Sequence, residues 1–578
     1  MKDYMKIYNE WLSNPYFDEA TKEELRAIAD NENEIKERFY MDLEFGTAGL
    51  RGVIGAGINR MNIYVVRRAT QGLANYIIKQ GGAAKGVAIA YDSRHMSPEF
   101  AMEAAMTLAA NGIKAYKFES LRPTPELSFA VRKLGCIAGI NITASHNPPE
   151  YNGYKVYWED GAQFTPPHDK GVTEEVLAIE DLSTVKVTDE ASAAAAGLYQ
   201  VIGADIDDEY IAQVKAQVVN QAAIDKMQDQ ITIIYSPLHG TGNIPARRVM
   251  KELGFEHVYV VPEQELPDGD FPTVSYPNPE AKEAFELGLK MAKEKNADLV
   301  LATDPDADRL GVYVKDDKSG EYIPLTGNMS GSLLCEYVLS QKAAAEKIPA
   351  DGQVIKSIVS TNLVDAVAKN YNCELIEVLT GFKWIGKQIL KNEETGKGTY
   401  LFGMEESYGC LIGAYARDKD AISATAALCE AAAYYKEKGM TLWDAMVAMY
   451  DKYSYYKDAV QSIGLKGIEG LAKIKEIMET LRENTPAEVG GYKVVSARDY
   501  QKDTIKDMAS GEVKPTGLPA SNVLYYDLED GAWLCVRPSG TEPKIKFYYG
   551  IKGASMADAD EKSAAMGKAV QAMVDAML

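Results

Sequence analysis

The sequence predicts an α/β fold of four domains around a central cleft: three related α/β domains, each with a mixed sheet between helices, and a C-terminal α+β domain. At 578 residues the chain is too long for one core, because domains usually hold about 100–200 residues. Three segments repeat a strand–helix–strand plan, and each is followed by an apolar strand that runs into a polar loop. Open α/β sheets bind ligands beyond the carboxyl ends of their strands, which predicts one shared cleft.

Each repeated segment has a β-branched strand, a polar turn, a helix and a second strand, the unit that builds parallel sheets by right-handed crossover. The segments are "GVAIAYDSRHMSPEFAMEAAMTLAANGIKAYKF" (86–118), "ITIIYSPLHGTGNIPARRVMKELGFEHVYVV" (231–261) and the more degraded "VIKSIVSTNLVDAVAKNYNCELIEV" (354–378). The strand-to-loop junctions that follow are "CIAGINI" into "TASHNP", "ADLVLA" into "TDPDADR", and "GTYLF" into "GMEESYG".

Composition shifts predict the domain boundaries. An alanine-rich stretch near 189–200 and charged turns near 315–322 and 451–458 divide the chain into domains at 1–200, 201–320, 321–455 and 456–578. Residues 1–40 read as a helical extension, in which Thr21 of "TKEELRAIA" is the expected helix cap. The last domain combines an amphipathic helix, strand-like runs such as "NVLYYDL" and "GAWLCVRP", and a terminal helix.

Composition also narrows the class of protein. A formal net charge of −22 repels nucleic acid and anionic membranes, so an anionic substrate needs a local positive site. Neither a targeting segment nor an apolar run of bilayer length is present, and a cytoplasmic protein is the default expectation. The cysteines are scattered singly in apolar surroundings and are expected to be buried: Cys136, Cys335, Cys373, Cys410, Cys429 and Cys535.

The loop "TDPDADR" places Asp304, Asp306 and Asp308 at alternate positions beyond a strand end. Three carboxylates so close together cannot all stay ionised without a cation, and oxygen ligation suits Mg²⁺. The alternative is a solvated acidic turn. The stiff Pro305 and the return to the apolar strand "LGVYV" favour the metal loop.

The segment "RPSGTEPKIKF" sets Arg537, Lys544 and Lys546 around a tight turn whose backbone donors lie at Ser539, Gly540 and Thr541. Backbone N–H groups beside a guanidinium form an anion nest, and phosphate is the expected guest. The alternative is a common S-G-T turn.

Three further glycine-containing loops are weaker signals. "GMEESYG" offers Glu405 and Ser407 to sugar hydroxyls, or is simply a capped helix start. "FGTAGLRG" carries Arg51 without the spacing of a nucleotide-binding loop. "DSRHMS" with Arg94 and "LHGTG" with His239 fit a site wall and a structural loop equally well.

Ser145 lies in "TASHNPPEYNGYK", where the G-x-S-x-G pattern of serine hydrolases is absent. His146 is a catalytic candidate by position, although a residue adjacent in sequence is expected to be poorly placed to deprotonate Ser145. A helix N-cap is the structural alternative. A metal loop, a phosphate nest and a sugar-type loop at matching positions of the repeats favour a serine that carries phosphate.

These motifs resemble the α-D-phosphohexomutase superfamily, most closely its bacterial phosphoglucomutases with an N-terminal extension. "TASHNPPEYNGYK" is similar to the family's phosphoserine loop, "DPDADR" to its metal loop, "GMEESYG" to its sugar loop and "RPSGTEPKIKF" to its phosphate loop. The likeness runs from about residue 40 to 550, with the motifs in family order.

The resemblance implies a phosphoserine at Ser145 and Mg²⁺ held by its phosphate and by Asp304, Asp306 and Asp308. It further implies that Arg51, Lys155 and Arg309 surround the reacting phosphate. Sugar and second-phosphate contacts would come from Thr380, Gly381 and Lys383 of "TGFKWIG", from Glu405 and Ser407, and from Arg537, Ser539, Gly540, Thr541 and Lys546. All five histidines precede residue 260, so Lys383 would replace the histidine that some members carry in the third domain.

The expected activity is the interconversion of glucose 1-phosphate and glucose 6-phosphate through a sugar 1,6-bisphosphate, which also serves as activator. The expected partners are small sugar phosphates, with no nucleic acid, membrane or obligate protein partner. Lys155 is the candidate general base if its pKa falls well below the usual value of about 10.4. Phosphopentomutase, phosphomannomutase, a haloacid-dehalogenase-type phosphatase using Asp304, and a non-catalytic sugar-phosphate binder are the alternatives.

Overall fold

The computed structural model describes residues 3–44, 49–465, 467–539 and 544–578. By the density of its internal contacts the chain divides into two compact units. The first unit comprises Met1–Thr326, Phe382–Phe402 and Ser407–Thr441, and the second comprises Gly327–Gly381, Gly403–Glu406 and Leu442–Leu578. The domain boundaries predicted at residues 200, 320 and 455 stay a prediction.

The N-terminal extension is helical, with α1 at Tyr4–Ser13, α2 at Glu19–Ala27 and α3 at Glu32–Phe39. Its core is aromatic, and the rings of Trp11 and Phe17 stack at 4.1 Å. The expected cap at Thr21 is wrong. The carboxylate of Asp18 accepts from the backbone N–H of Thr21 and so caps α2, because Thr21 already lies in the first turn.

The first α/β domain has a mixed sheet in the order β1–β5–β4–β2–β3–β6. Its elements are β1 (Gly49–Val53), α4 (Ile63–Lys79), β2 (Val87–Tyr91), α5 (Ser97–Ala110), β3 (Ala115–Phe118), α6 (Thr124–Lys133), β4 (Ala138–Ile142), β5 (Tyr151–Trp158), α7 (His168–Leu177), α8 (Glu190–Ala195) and β6 (Tyr199–Ile202). Strands β2 and β4 are buried at every position, as expected of parallel strands covered on both faces. Antiparallel β5 returns beside β4, so the loop between them lies at the carboxyl edge of β4.

The second α/β domain repeats this plan with the sheet order β11–β10–β9–β7–β8. Its elements are α9 (Ala204–Lys215), α10 (Gln221–Met227), β7 (Thr232–Ser236), α11 (Asn243–Leu253), β8 (His257–Val260), α12 (Pro262–Glu265), α13 (Glu286–Lys295), β9 (Leu299–Thr303), β10 (Leu310–Lys315) and β11 (Tyr322–Leu325). Strands β7, β8 and β9 are parallel, and β10 turns back along β9. The loop between β9 and β10 therefore occupies the position that the β4–β5 loop has in the first domain.

The remaining chain contributes to both units. The second unit contains α14 (Gly327–Ala344), β12 (Gly352–Ser357), α15 (Leu363–Asn370) and β13 (Glu374–Val378), with β12 and β13 parallel. The chain continues with α16 (Lys383–Thr395), β14 (Thr399–Glu405), β15 (Gly409–Ile412) and α17 (Ala421–Glu437). The second unit resumes with α18 (Leu442–Tyr453), β16 (Tyr455–Gly464), α19 (Gly467–Glu483), β17 (Glu488–Val489), β18 (Tyr492–Asp499), β19 (Thr504–Asp507), β20 (Val513–Lys514), β21 (Leu524–Leu528), β22 (Trp533–Pro538), β23 (Lys544–Gly553) and α20 (Met556–Asp575).

Several expectations from the sequence are confirmed. The three repeated segments form β2–α5–β3, β7–α11–β8 and β12–α15–β13. The C-terminal region is α+β, with a largely antiparallel sheet in the order β16–β23–β22–β21–β18–β19–β20. All six cysteines are buried. Among the described residues, no helix combines the length and the apolar character needed to cross a bilayer.

Candidate active site

Ser145 lies in the loop between β4 and β5, in the first unit. It is 3 % exposed and adopts a left-handed backbone conformation with φ 52°, which turns its side chain out of the line of the strand. Its backbone N–H donates to Oγ1 of Thr143 at 2.8 Å. The next element is β5 rather than a helix, so the helix-cap alternative for Ser145 is wrong.

Arg94 holds the backbone of the Ser145 loop. Its guanidinium is buried and donates to the carbonyl oxygens of Ser145, Asn147, Pro148 and Tyr151. One planar, rigid donor that binds four carbonyls fixes the path of the loop. The segment "DSRHMS", which the sequence left undecided, therefore forms the supporting wall of this loop.

The metal loop between β9 and β10 faces Ser145. The Ser145 hydroxyl donates to Oδ2 of Asp304 at 2.8 Å, while Oδ1 of Asp304 accepts from the backbone N–H groups of Asp308 and Arg309 at 3.1 and 3.0 Å. One carboxylate oxygen from each of Asp304, Asp306 and Asp308 lies within 4.8 Å of the others. All three side chains are buried.

The carboxylates suit a hard divalent cation. Oδ1 of Asp306 and Oδ1 of Asp308 are buried and have no hydrogen-bond partner among the described residues. Buried carboxylate oxygens without donors are costly, and a cation with oxygen ligands removes that cost. Asp304, Asp306 and Asp308, with an oxygen from Ser145, could therefore hold Mg²⁺.

Two lysines offset the charge of the acidic loop. Nζ of Lys155, on β5, lies 2.7 Å from Oδ2 of Asp306 and 3.6 Å from Oδ2 of Asp308. Nζ of Lys419 lies 3.1 Å from the same oxygen of Asp308. Oγ1 of Thr124, at the start of α6, donates to Oδ2 of Asp306 at 2.8 Å.

The carboxylates differ in proton affinity. Burial, followed by the charges of Asp306 and Asp308, raises the pKa of Asp304 well above its usual range. Burial acts in the same direction on Asp306, but the ammonium of Lys155 and its hydrogen bond outweigh burial and lower the pKa of Asp306.

The pKa of Lys155 corrects an expectation. Burial alone would lower this pKa, but the charges of Asp306 and Asp308 outweigh burial and raise it. The carboxylates that face the ammonium belong to a loop about 150 residues away and were not part of the expectation from sequence. The lowered pKa expected of a general base is therefore wrong for Lys155 while these carboxylates are its partners.

His146 is better placed than its sequence position suggested. Its Nδ1 lies 3.1 Å from Oγ of Ser145, although adjacent residues often point apart. The left-handed turn at Ser145 brings the two side chains together. Burial, followed by the charges of Arg309 and Arg51, lowers the pKa of His146 well below its usual value.

The two arginines near the serine hold neighbouring groups. Arg51, on β1, donates to Oδ1 of Asn147 in the Ser145 loop at 2.9 Å. Arg309 follows the metal loop, and its guanidinium lies 2.7 Å from a carboxylate oxygen of Glu280. Of the loop "FGTAGLRG", residues 45–48 lie outside the described residues.

The "LHGTG" loop supports the metal loop. The backbone N–H of Thr241 donates to the carbonyl of Pro305 at 2.8 Å. A Cβ atom at Gly240 would lie 2.4 Å from Cα of Pro305, so this close approach of two backbones requires glycine. This loop, also undecided from sequence, is a structural support.

The candidates for sugar and second-phosphate binding are divided between the units. In the second unit, the backbone N–H of Gly381 donates to Oε1 of Glu405 at 2.6 Å, and the Thr380 hydroxyl is buried. Arg537 and Lys546 are register partners on β22 and β23, and Ser539 donates its N–H to the carbonyl of Lys544 at 2.7 Å. Gly540 and Thr541 lie outside the described residues.

Glu406 was not among the residues chosen from sequence. Burial raises its pKa, whereas the hydroxyl of Ser357 and the cations Arg537 and Lys546 favour its charged form. It is therefore a counter-charge for Arg537 and Lys546. Its position next to Glu405 in "GMEESYG" is the sequence signal that could have identified Glu406.

Lys383 and Ser407 belong to the first unit. Lys383 begins α16 and is 9 % exposed, and burial lowers its pKa to about 8. Ser407 is partly buried in the turn between β14 and β15.

Comparison with known proteins places these motifs in context. Descriptions of the phosphoglucomutase/phosphomannomutase family match the chain in order: alpha/beta/alpha domain I at residues 42–183, domain II at 208–320, domain III at 326–453 and the C-terminal domain at 481–561. A phosphoglucomutase of Staphylococcus epidermidis is 35% identical over 552 residues, which cover 95% of this chain and 96% of the relative. One of Staphylococcus aureus is 35% identical over 533 residues, covering 92% and 94%.

Solved structures share the fold. A crystal structure of a phosphomannomutase, described as putative, from Thermus thermophilus superposes with a TM-score of 0.68 at 20% identity, covering 93% of this chain and 99% of that one. The phosphoglucomutase pp63/parafusin of Paramecium, in its open form, gives 0.68 at 18% identity, covering 93% and 95%.

Proposed function

We propose, because this chain belongs to the phosphoglucomutase/phosphomannomutase family, that it interconverts glucose 1-phosphate and glucose 6-phosphate. The observation that carries the proposal is the buried Ser145 hydroxyl, 2.8 Å from Asp304 in a cluster of three buried carboxylates. A serine that only shaped a turn would not require such a costly arrangement. A serine that carries phosphate beside a divalent cation does require buried carboxylates close to its hydroxyl.

In the first step, the free hydroxyl of a glucose phosphate attacks the phosphorus of phosphoserine 145. A new bond forms between phosphorus and the sugar oxygen, the bond to Oγ breaks, and the sugar becomes the 1,6-bisphosphate. The Oγ atom that leaves keeps the bonding electrons, and a proton from the sugar hydroxyl restores the neutral serine.

In the second step, the bisphosphate presents its other phosphate to Ser145. The serine oxygen attacks this phosphorus, the bond to the sugar oxygen breaks, and phosphoserine is regenerated. The sugar oxygen that leaves keeps the bonding electrons and takes a proton to become the product hydroxyl. The proton of Oγ needs an acceptor. The Ser145 hydroxyl, which donates to Asp304 in this structure, must turn to Nδ1 of His146, 3.1 Å away, and we assign His146 as that acceptor. Lys155 and Arg51 stabilise the charge on the phosphoryl group during transfer, and we assign the same role to the guanidinium of Arg309, whose Nη1 stays on Glu280.

Mg²⁺ on Asp304, Asp306 and Asp308 would neutralise charge on the phosphoryl oxygens. Phosphoserine brings about −1.5 to −2 charge, and a sugar phosphate brings a similar charge. Lys155 and Lys419 are already paired with these carboxylates, so these two cations do not by themselves balance the charge of two phosphates. We therefore propose Mg²⁺ as the cofactor and glucose 1,6-bisphosphate as the activator that first phosphorylates Ser145.

We assign the phosphate that is not reacting to Arg537, Ser539, Gly540, Thr541 and Lys546. Thr380, Gly381, Lys383, Glu405 and Ser407 are assigned to the sugar. Glu406 supports this reading, because it balances Arg537 and Lys546 when no phosphate is bound. The enzyme acts on small sugar phosphates, and we propose that it works in the cytoplasm.

The test is turnover of the purified chain with Mg²⁺ and a trace of glucose 1,6-bisphosphate, on glucose, mannose, glucosamine and ribose 1-phosphates. We expect glucose 1-phosphate to be preferred. Intact mass should show that one phosphate is gained on Ser145. Ser145→Ala should lose both the phosphate and the turnover.

The matched control is Ser332→Ala, which removes a buried hydroxyl from α14 in the second unit. It should keep the turnover and the phosphate. Full turnover by Ser145→Ala would overturn the mechanism, and preference for ribose 1-phosphate would overturn the glucose assignment. Binding without turnover of any of these sugars would identify a non-catalytic binder.

A further inference from the structure

The second domain sends a long loop onto the first domain. Residues 266–281, here called the strap, connect α12 to the short turn Lys282–Phe285 and contain no helix or strand among the described residues. Neither the family motifs nor the proposed mechanism uses the strap. Its contacts nevertheless reach the loops of both Ser145 and the metal site.

The strap is anchored at its base by His239. Nδ1 of His239 donates to the carbonyl of Leu266 at 3.1 Å, because a carbonyl can only accept. Nε2 then accepts from the hydroxyl of Thr273 at 3.0 Å, while Gln264 donates to the same hydroxyl oxygen at 3.1 Å. Burial lowers the pKa of His239, in agreement with the neutral ring that this pattern needs.

The centre of the strap covers Arg94. Phe271 is fully buried, and its ring centroid lies 4.9 Å from the guanidinium carbon of Arg94. Phe271 has φ 46°, a conformation that bulky residues rarely adopt. The ring thus closes the far side of the guanidinium that binds four carbonyls of the Ser145 loop.

A second contact to the first domain is weaker. Nε2 of His95 lies 2.7 Å from Oδ1 of Asp270, but both side chains are more than half exposed. Exposed polar contacts contribute little, whereas a desolvated cation–π contact contributes more. Phe271 is therefore the contact that couples the strap to the Ser145 loop.

The far end of the strap holds the metal loop. Glu280 lies 2.7 Å from the guanidinium of Arg309, and Arg309 directly follows Asp308 in the chain. The strap therefore contacts Arg94, which supports the Ser145 loop, through Phe271. It contacts the end of the metal loop through Glu280. Nothing else in the strap is needed to link the two loops.

We propose that the strap positions the Ser145 loop relative to the metal loop, with Phe271 acting through Arg94 as a positioning residue. Loss of the ring leaves the guanidinium with its polar bonds but without its packed face. The four carbonyls then hold a looser loop, and Oγ of Ser145 spends less time in line with the phosphoryl group. The kinetic part of this inference rests on the proposed mutase activity.

The first test is structural and needs no substrate. Amide hydrogen exchange is measured over residues 143–151 in the wild type, in Phe271→Leu and in Phe255→Leu. Phe255 is also buried, at 5 % exposure, but it lies just before the amino end of β8, outside the strap. We expect faster exchange of this loop, by about 10-fold, in Phe271→Leu alone. Unchanged exchange in that variant, or an equal rise in both variants, would overturn the proposal.

The second test is kinetic. Phe271→Leu should lower kcat about 10- to 30-fold while KM for glucose 1-phosphate changes less than about twofold, because loop placement rather than sugar binding is disturbed. Phe255→Leu should keep kcat near wild type at a similar loss of stability. An equal loss of kcat in both variants would mean that Phe271 contributes only to packing and is not a positioning residue. A wild type without turnover would contradict the proposed function, while the exchange result would still decide the role of the strap.

Discussion

The two ends of the proposed reaction are built differently. In the first unit, Ser145, Asp304 and Lys155 are all less than 9% exposed and are bonded to one another or to shared partners. In the second unit, the described phosphate-nest residues Arg537 and Lys546 are partly exposed on paired strands, with Glu406 as counter-charge. The reacting end is dry and arranged in advance, which is where electrostatic stabilisation is strongest. The proposed binding end is partly exposed, where water screens its charges.

This difference predicts that substitutions at the two ends act on different kinetic constants. Groups at the buried end stabilise charge that develops during transfer, so their loss lowers kcat. Groups at the exposed end bind a phosphate that is the same before and after transfer, so their loss raises KM.

The largest effect is expected from Asp306→Asn. The amide keeps the size of the carboxylate but removes a charge from the cation site and leaves Lys155 with a weaker partner. We expect kcat to fall about 10²- to 10³-fold, and the Mg²⁺ concentration for half activation to rise. Titration of activity with MgCl₂ measures both.

Asp317→Asn is the matched control, because Asp317 is an exposed aspartate paired with Lys315 beyond the metal loop. It should leave rate and Mg²⁺ dependence unchanged. A near-normal rate in Asp306→Asn would mean that the three aspartates form an acidic turn without a catalytic cation.

An intermediate effect is expected from Arg537→Ala. A charge-assisted hydrogen bond to phosphate contributes about 1.5–3 kcal/mol, so KM for glucose 1-phosphate should rise about 10- to 100-fold while kcat changes only a few-fold. Steady-state kinetics at saturating Mg²⁺ measures both constants. Lys493→Ala removes an exposed cation of the same unit as the control. An unchanged KM in Arg537→Ala would exclude the nest from substrate binding.

How much could be predicted from the sequence also differs between fold and site. Local hydrophobic patterns identified all three strand–helix–strand repeats, because strand and helix periods are properties of neighbouring residues. The motif loops were identified from their residue types and from the family resemblance, which are also local in the sequence. The helix caps were harder to predict, because Thr21 was expected to cap α2 and the structure has Asp18 as the cap.

Contacts between distant segments were not predictable. Lys419 and Thr124 contact the aspartates from segments more than 100 residues away. The local sequences "YARDKD" and "RPTPE" do not indicate these contacts. The pKa of Lys155 was misjudged for the same reason, since its direction depends on carboxylates contributed by another domain. Sequence identifies which loops carry chemistry, and the fold decides which charges face each other.

The smallest effect concerns stability and compares two buried lysines of the first unit. Asp306 and Asp308 raise the pKa of Lys155, whereas burial lowers the pKa of Lys383 to about 8. Below pH 8, folding must bury the charged ammonium of Lys383. Between pH 8 and about 10.5 the unfolded chain binds the proton and the folded chain does not, so stability rises with pH.

Lys383→Met should therefore be more stable than wild type at pH 7, by about 1–2 kcal/mol, and the gain should fade towards pH 10.5. Urea unfolding at both pH values measures this, with exposed Lys387→Met as control. A gain in Lys383→Met that stays constant with pH would mean that Lys383 keeps its proton in the folded chain, as Lys155 does.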